Sequence, residues 1–415
     1  MTLRFPNEFI IPCFGLHGKI SKKKPGPAQT GPGQYGIIKK TVKKGGPALK
    51  EKKKPKRLWL LVLYPVSFAL TALARADAGF AERYAAGGPY TALSRSVNRL
   101  TSLAPFSVAE AAVCAFLAAA VFFALRFAVR MVRRKGRRTA TAGRFLLNLA
   151  CLAGVVLFLF TLACGINYSR YPFARTCGLK VQPSSKAELT ALCKNLAGDA
   201  DRQRAGLKTD AHSVMELGTD FPQTARTAQK ALDALEADYP FLRSGYGAPK
   251  PVFFSRALSR CNVTGMFFPF TFEANVNTDV PDYTIPATMC HELTHLRGYM
   301  REEEANFVSY LACRKSGSRA FRYSGDMLAF VYASNALYSA DAGAADAVLA
   351  GLSVGVRRDL AAGSAYWRQF AGPVADVSES VNDRYLKANR QSEGVKSYGR
   401  MVDLLLALQR KEKTP

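Results

Sequence analysis

Three long apolar segments near the start of the chain constrain its fold more than any other feature. We predict them at residues 58–76, 106–129 and 145–166. An α-helix needs ~17–25 residues to cross the apolar part of a bilayer, so each segment is long enough. A buried core helix is the alternative for a short apolar run, but the charges that flank these segments favour membrane spans. The sequence therefore predicts three N-terminal transmembrane helices.

The distribution of charge predicts how these helices are oriented. The formal net charge of +27 is concentrated in residues 1–57 and in residues 130–144, and the second of these stretches contains no acidic residue. Cytoplasmic segments next to membrane spans are enriched in Lys and Arg. We therefore place both basic stretches in the cytoplasm and the loop at 77–105 on the opposite side. With three spans, residues 167–415 then form an extracytoplasmic domain, and the protein is a multi-pass protein of the cell membrane.

The basic stretch at residues 1–57 has the composition of a disordered tail. Its runs of lysine are interleaved with Gly and Pro, so it cannot bury enough apolar surface to fold by itself. Because it leads directly into an apolar segment, we expect it to contact membrane lipids, including anionic head groups. Nucleic acid is not an expected partner, since the tail contains no folded recognition motif.

The sequence His291-Glu292-Leu293-Thr294-His295 has the HExxH spacing of zinc hydrolases. On a helix, His291 and His295 project from one face, with Glu292 beside them. A hydrolytic Zn²⁺ takes three protein ligands and leaves a fourth position to water, from which a neighbouring carboxylate removes a proton. We predict Glu292 as this general base. The other histidines, His17 and His212, lack a spaced partner, so the third ligand is expected to be a carboxylate.

A second helix that follows the HExxH segment offers this carboxylate. Gly298 suits a sharp turn, because glycine adopts positive φ without a steric penalty, and a helix can begin near Arg301. On that helix Glu302 and Asn306 share a face. Glu302 is the favoured third ligand, Glu304 is the reserve ligand, and Asn306 is expected to orient one of the ligand histidines.

Seven segments of the chain have the pattern of a known protein family: Gly265–Asn277, Cys290–Gly298, Glu302–Phe307, Pro105–Glu110, Gly165–Arg170, Tyr385–Asn389 and Gly394–Val402. On these segments the chain resembles DUF3810, a family of bacterial membrane proteins whose function is uncharacterised. The resemblance covers about residues 58–408, and it implies the architecture more firmly than an activity.

The segment Glu302-Glu303-Glu304-Ala305-Asn306 is also similar to a short E-x-x-A-[DN] helix of other membrane or regulatory zinc peptidases. In those proteins the first glutamate is the third zinc ligand, and the resemblance implies this role for Glu302. The gap between His295 and Glu302 is much shorter here than in the larger gluzincin pattern.

Residues 167–415 are predicted to form an α+β zincin-like metallopeptidase domain that is mostly helical. Helical patterns cover residues 182–245, 326–338 and 342–350, whereas residues 251–286 have the texture of strands. Gly265–Asn277 is interpreted as an edge strand that could take an extended substrate by β-addition. Its carboxylate, Glu273, is interpreted as a solvated group at the rim.

Two tyrosines and nine cysteines complete the candidate functional residues. Tyr323 and Tyr398 could each donate a hydrogen bond to an oxyanion, although nothing in the sequence places either near the histidines. No pair of cysteines has CxxC spacing, so a cysteine zinc site is not supported. Cys290, beside His291, is interpreted as a packed helix residue.

The sequence as a whole predicts a membrane-anchored, zinc-dependent metallopeptidase that acts on a peptide or protein substrate. The alternative is a non-catalytic membrane sensor or cell-envelope scaffold with a structural zinc site. Structural zinc sites normally have four protein ligands, and the sequence offers three. A transporter would leave the long polar domain unexplained.

Overall fold

The computed structural model describes residues 56–133, 135–389, 391 and 400–413. The predicted tail at 1–57 therefore lies outside the described residues, except for its last two. The described chain is mostly helical, as predicted, with one small sheet. Its elements are α1 (Leu63–Ala76), α2 (Ala78–Ala85), α3 (Pro89–Thr101), α4 (Val108–Arg133), α5 (Arg138–Ala163), α6 (Phe173–Thr176), α7 (Lys186–Arg204), α8 (Phe221–Asp233), β1 (Lys250–Pro251), α9 (Ser255–Arg260), β2 (Gly265–Phe268), β3 (Glu273–Val276), α10 (Ile285–Leu296), α11 (Glu302–Lys315), α12 (Arg319–Ala340), α13 (Ala342–Ala350), α14 (Val354–Arg368), α15 (Pro373–Ala388) and α16 (Arg400–Lys413).

Three helices are long and apolar enough to cross a membrane: Arg57–Ala76, Val108–Arg133 and Arg138–Ala163. The first consists of a 3₁₀ segment followed by α1, and both α1 and α4 pack against α5. The basic loop predicted at 130–144 is largely helical instead, since α4 continues to Arg133 and α5 begins at Arg138. Arg and Lys are good helix formers, so basic residues at the ends of apolar helices extend them.

The segment between the first two apolar helices is folded onto the rest of the protein. It forms α2 and α3, whereas the sequence predicts a loop at 77–105. Tyr90 of α3 is fully buried, and its hydroxyl donates to the backbone carbonyls of His295 and Leu296 at 3.3 and 3.2 Å. Asn98 donates from Nδ2 to the carbonyl of Phe272 at 2.7 Å. The α2–α3 segment therefore belongs to the core that surrounds the histidine-bearing helix.

The sheet has three strands in the order β1-β3-β2, with β2 antiparallel and β1 parallel to β3. The segment Gly265–Asn277, predicted as one edge strand, is divided between the edge strand β2 and the central strand β3. Pro269 follows β2 directly, outside the ladder, because a proline has no N–H to donate within a sheet. Residues 252–254 are not a strand, because they turn into α9.

Glu273 joins the sheet to the second apolar helix. Its side chain is buried, and its two carboxylate oxygens accept hydrogen bonds from the backbone N–H groups of Val108 and Ala109 at 3.2 and 2.7 Å. Lys250 pairs with the same carboxylate at 2.5 Å. The expectation of a solvated rim group was wrong for this residue, since Glu273 satisfies the exposed backbone donors at the start of α4.

The helix α10 lies at the centre of the domain. It packs against α8, α11, α12 and the sheet, and every one of its residues is buried. Two of the surrounding helices begin with a side-chain cap. Ser185 and Glu188 form a capping box at the start of α7, and Asp220 caps α8. The predicted helices at 326–338 and 342–350 correspond to α12, which extends further in both directions, and to α13.

Asp326 of α12 makes the stability of the domain dependent on pH. Burial raises the pKa of its carboxyl from 3.8 to about 7, although Arg314 and Arg202 oppose the shift. A raised carboxyl pKa means that the folded state binds the proton more tightly, so the stability it contributes is present below pH ~4 and is lost as the pH rises through ~7. We expect Asp326→Asn to increase the free energy of unfolding at pH 8 by up to ~4 kcal/mol, and the melting temperature should rise with it.

Thermal unfolding of the full chain in detergent between pH 4 and pH 8 checks this prediction. The gain from Asp326→Asn should shrink toward pH 4, where the Asp326 carboxyl of the folded chain is protonated and no charge is buried. Asp346→Asn, at an exposed position of α13, is the matched control and should leave the melting temperature nearly unchanged. A gain of equal size at both ends of the pH range would contradict the assignment.

Candidate metal centre

A helix, a glycine turn and a second helix bring three potential ligands together. His291 and His295 lie on one face of α10, which ends at Leu296. Gly298 then adopts φ of 82°, the left-handed conformation expected there, and its N–H donates to the carbonyl of His295 at 2.8 Å. Arg301 is extended, and Glu302 is the first residue of α11. The short gap before Glu302 is thus long enough to return the chain to the histidines.

The facing atoms of these three residues are close enough to share a metal ion. His291 Nε2 lies 2.9 Å from His295 Nε2 and 3.2 Å from Glu302 Oε2, and His295 Nε2 lies 3.7 Å from the same oxygen. Three atoms at these separations have a common point about 2 Å from each, which is the length of Zn–N and Zn–O bonds. Among the described residues, these three form the group of His, Cys, Asp and Glu side chains that could hold a metal ion.

Hydrogen bonds on the far side of each imidazole fix which nitrogen faces the group. His295 Nδ1 lies 2.7 Å from the carbonyl oxygen of Tyr299, which can only accept, so this nitrogen carries the proton. His291 Nδ1 lies 2.7 Å from Asn306 Oδ1, while Asn306 Nδ2 donates to the hydroxyl of Tyr332 at 3.1 Å. Both Nε2 atoms therefore direct a lone pair toward Glu302 Oε2, as metal-binding histidines do.

The electrostatics of the group require a positive charge. His291, His295 and Glu302 are each 1% exposed, so water screens them very little. Although burial disfavours both charged forms, attraction within the pair holds the pKa of Glu302 well below its usual range and raises that of His295. Within the described residues, buried Glu302 Oε2 has no hydrogen-bond partner. A cation among these atoms, whether a proton or a metal ion, stabilises them.

Glu292 lies beside the ligand group, where β2 passes closest to α10. Burial raises the pKa of its carboxyl to about 8, and the backbone N–H of Phe267 hydrogen-bonds this carboxylate. At Gly265 a Cβ atom would lie 2.6 Å from Glu292 Oε1, so only glycine leaves room for the side chain. Glu292 Oε2 is buried with no hydrogen-bond partner among the described residues. The carboxylate therefore has a lone pair available for a proton.

Other candidate residues have different contacts. Glu304, the reserve ligand, accepts a hydrogen bond from the backbone N–H of Phe173 at 2.7 Å and pairs with Arg301 at 2.8 Å. Tyr323 donates its hydroxyl to Asp359 Oδ2 at 2.6 Å, inside a buried cluster. Glu304 thus holds the segment that follows α5, and the hydroxyl of Tyr323 is engaged with Asp359.

Three further candidates complete this comparison. Tyr398 lies outside the described residues. His212 is exposed, and no metal group that includes it is found in the described part of the chain. Cys290 is a free, buried cysteine on α10, as its interpretation as a packed helix residue requires.

Two residues that support the centre were not identified from the sequence. Tyr332 of α12 holds the amide of Asn306 in place. Arg170 is buried, donates from Nη1 to the carbonyls of Arg297 and Gly298 at 3.3 Å each, and lies 4.1 Å over the ring of Tyr299. It thereby fixes the turn that presents the Tyr299 carbonyl to His295. The only sequence signal for Arg170 is its place in one of the segments that resemble DUF3810.

Comparison with known proteins places the chain in a family. Residues 86–406 match the family described as Protein of unknown function (DUF3810). The chain belongs to the DUF3810 family. The match begins just before α3 and ends within α16, so it is shorter at its start than the extent of 58–408 expected from the resemblance. No curated protein and no solved structure matches the chain.

Metal content of this DUF3810 protein tests the ligand group. Glu302→Ala removes the only carboxylate of the group, so we expect the purified full chain to lose stoichiometric zinc. Asn306→Ala leaves the ligands in place but frees the ring of His291, and we expect a roughly 10–100-fold weaker affinity. Elemental analysis and competition with a zinc chelator measure the two effects.

His212→Ala, which changes an exposed histidine, is the matched control and should bind zinc like the native chain. If Glu302→Ala retains native zinc affinity, Glu302 is not a ligand.

Proposed function

We propose that this DUF3810 protein is a membrane-anchored zinc metallopeptidase. His291, His295 and Glu302 would hold Zn²⁺, and Glu292 would be the general base. When bound, the zinc ion supplies a Lewis acid that polarises the scissile carbonyl and acidifies water. The observation that carries the proposal is the convergence of two imidazole lone pairs and a buried carboxylate, with a second carboxylate beside them.

Glu292 is well placed to move a proton. Its carboxylate is hydrogen-bonded by the Phe267 backbone N–H, which fixes its orientation, and the absence of a side chain at Gly265 leaves the space it occupies. A general base works best when its pKa lies near the working pH, and burial shifts the pKa of Glu292 in that direction. Glu292 would accept the proton of the attacking water and later deliver it to the leaving amine.

The edge strand β2 is the proposed binding surface for the substrate. Within the described residues β2 pairs with β3 alone, so its other side can receive an extended peptide. Such a peptide would run directly past Glu292, because the start of β2 contacts that side chain. This supports a peptide or protein as the substrate.

The second candidate is a membrane sensor or envelope scaffold that keeps zinc for stability. The observation in its favour is the burial of the centre, since His291, Glu292, His295 and Glu302 are each 1% exposed. Against it, a structural zinc site normally has four protein ligands, and the group found among the described residues has three. A buried general base beside the group also has no role in a purely structural site.

Hydrolysis by the full chain and by Glu292→Gln tests the proposal. Glu292→Gln keeps the size of the side chain but cannot accept a proton, so we expect zinc binding to persist and cleavage of a mixed peptide library to fall by a factor of roughly 10²–10⁴. Mass spectrometry of the peptide products measures the loss. Absence of cleavage by the zinc-loaded native chain would favour the sensor or scaffold.

A pair of glycine variants separates disturbance of Glu292 from general destabilisation. Gly265→Ala would push a Cβ atom against Glu292 Oε1, so we expect lower cleavage with zinc retained. Gly218→Ala adds the same atom where nothing lies within 4 Å, and its activity should equal that of the native chain. Equal cleavage by both variants would mean that the position of Glu292 is unimportant.

We also propose that the metal domain is extracytoplasmic, because both basic stretches flank the spans on the opposite side. A membrane-impermeant maleimide applied to intact cells should label Val354→Cys, at an exposed position of α14, more strongly than the unsubstituted chain. Labelling that appears only after the cells are opened would reverse the orientation.

A further inference from the structure

Six large apolar side chains lie exposed around the start of α4. Phe253 and Leu103 are 85% and 80% exposed, which is unusual for residues of this size in a folded domain. They belong to three separate segments: the end of α3 with its connection to α4, the turn after β1, and the turn between β2 and β3. We call the set the apolar collar: Leu100, Leu103, Phe106, Phe253, Phe254 and Phe270.

The turn after β1 is attached directly to the first turn of α4. Both carboxylate oxygens of Glu110 accept backbone hydrogen bonds from it, with the N–H groups of Phe253 and Phe254 each at 2.8 Å. Glu110 is the only acidic residue of α4, and it is the third residue of that helix. Phe253 and Phe254 are therefore held beside the first turn of α4.

The other two loops are tied to the same place. Lys250 donates to the carbonyl of Thr101, beside Leu100, at 2.6 Å, and Thr101 donates to the carbonyl of Thr271, beside Phe270, at 3.1 Å. Hydrogen bonds therefore hold the three segments of the collar together beside the start of α4.

We propose that the apolar collar is immersed in the bilayer surface on the side of the metal domain. The helix α4 is long and apolar enough to cross a membrane and begins at Val108, so the collar lies at the level where that helix would enter the lipid. Phenylalanine and leucine side chains at that depth are removed from water by the acyl chains. We choose the membrane as the partner that covers the collar because α4, which is apolar enough to cross a bilayer, begins next to the collar.

The collar determines where a substrate would meet the metal centre. The strand β2 starts against Glu292 and ends at Phe268, two residues before Phe270 of the collar. The path from Phe267 to Phe270 is therefore at most about 10 Å. This step rests on the proposed peptidase function: the substrate class is a polypeptide segment held at the membrane surface, such as the stretch next to the membrane anchor of another protein.

Fluorescence quenching by brominated lipid tests the position of the collar without reference to activity. The full chain, with Trp59 and Trp367 changed to Phe, receives one tryptophan by Phe253→Trp and is reconstituted into vesicles of plain or dibrominated phosphatidylcholine. We expect bromine to quench this tryptophan several-fold more strongly than one placed by Val354→Trp, which is 54% exposed on α14. Equal and weak quenching at both positions would overturn the proposal.

The same vesicles test the substrate class. A peptide library attached to the vesicles through an acyl chain should be cleaved faster than the same peptides free in solution. The variant Phe253→Ser/Phe254→Ser, which changes exposed residues, should lose this preference while it still cleaves free peptides. Equal rates for attached and free peptides with the native chain would overturn the substrate class. Cleavage of neither would instead overturn the peptidase function and leave the quenching result in force.

Discussion

Three buried hydrogen-bond acceptors face one another at the centre of this protein, and much of the surrounding structure holds them there. Two imidazole nitrogens and one carboxylate oxygen repel each other unless a cation lies among them. The Tyr299 carbonyl and the Asn306 amide keep the proton of each ring on its far side. Arg170 holds the turn that contains Tyr299, and every residue of α10 is buried against the surrounding elements.

The sequence was sufficient for the features that depend on local spacing. The ligand candidates lie within a short stretch of chain, where helical periodicity and one glycine determine which side chains share a face. The turn at Gly298 and the start of the next helix were predicted on this basis and are confirmed. The same is true of the long apolar helices, because a single segment contains the whole signal.

Contacts between segments that are distant in the chain could not be predicted, because no local sequence pattern indicates them. A strand carboxylate such as Glu273 is equally compatible with solvent, with a metal or with the start of a helix more than 160 residues earlier, and only the folded arrangement decides between them. The same holds for Tyr90, whose hydroxyl reaches the end of α10, and for Tyr332, which supports Asn306. The extent of the basic loop was misjudged for a different reason, since charged residues both end membrane spans and prolong helices.

The hydrogen bonds of Glu273 and Tyr90 limit how the chain can be truncated without loss of the fold. A shortened chain that begins after the third apolar helix would leave the Glu273 carboxylate without the two backbone donors of α4 and would open a cavity where the ring of Tyr90 sits beneath α10. The boundary between a membrane anchor and a soluble catalytic unit, which the linear sequence suggests near residue 167, is therefore not a place where the chain can be cut. Preparations that retain the arrangement of His291, His295 and Glu302 need the three long apolar helices, and therefore a lipid or detergent environment for them.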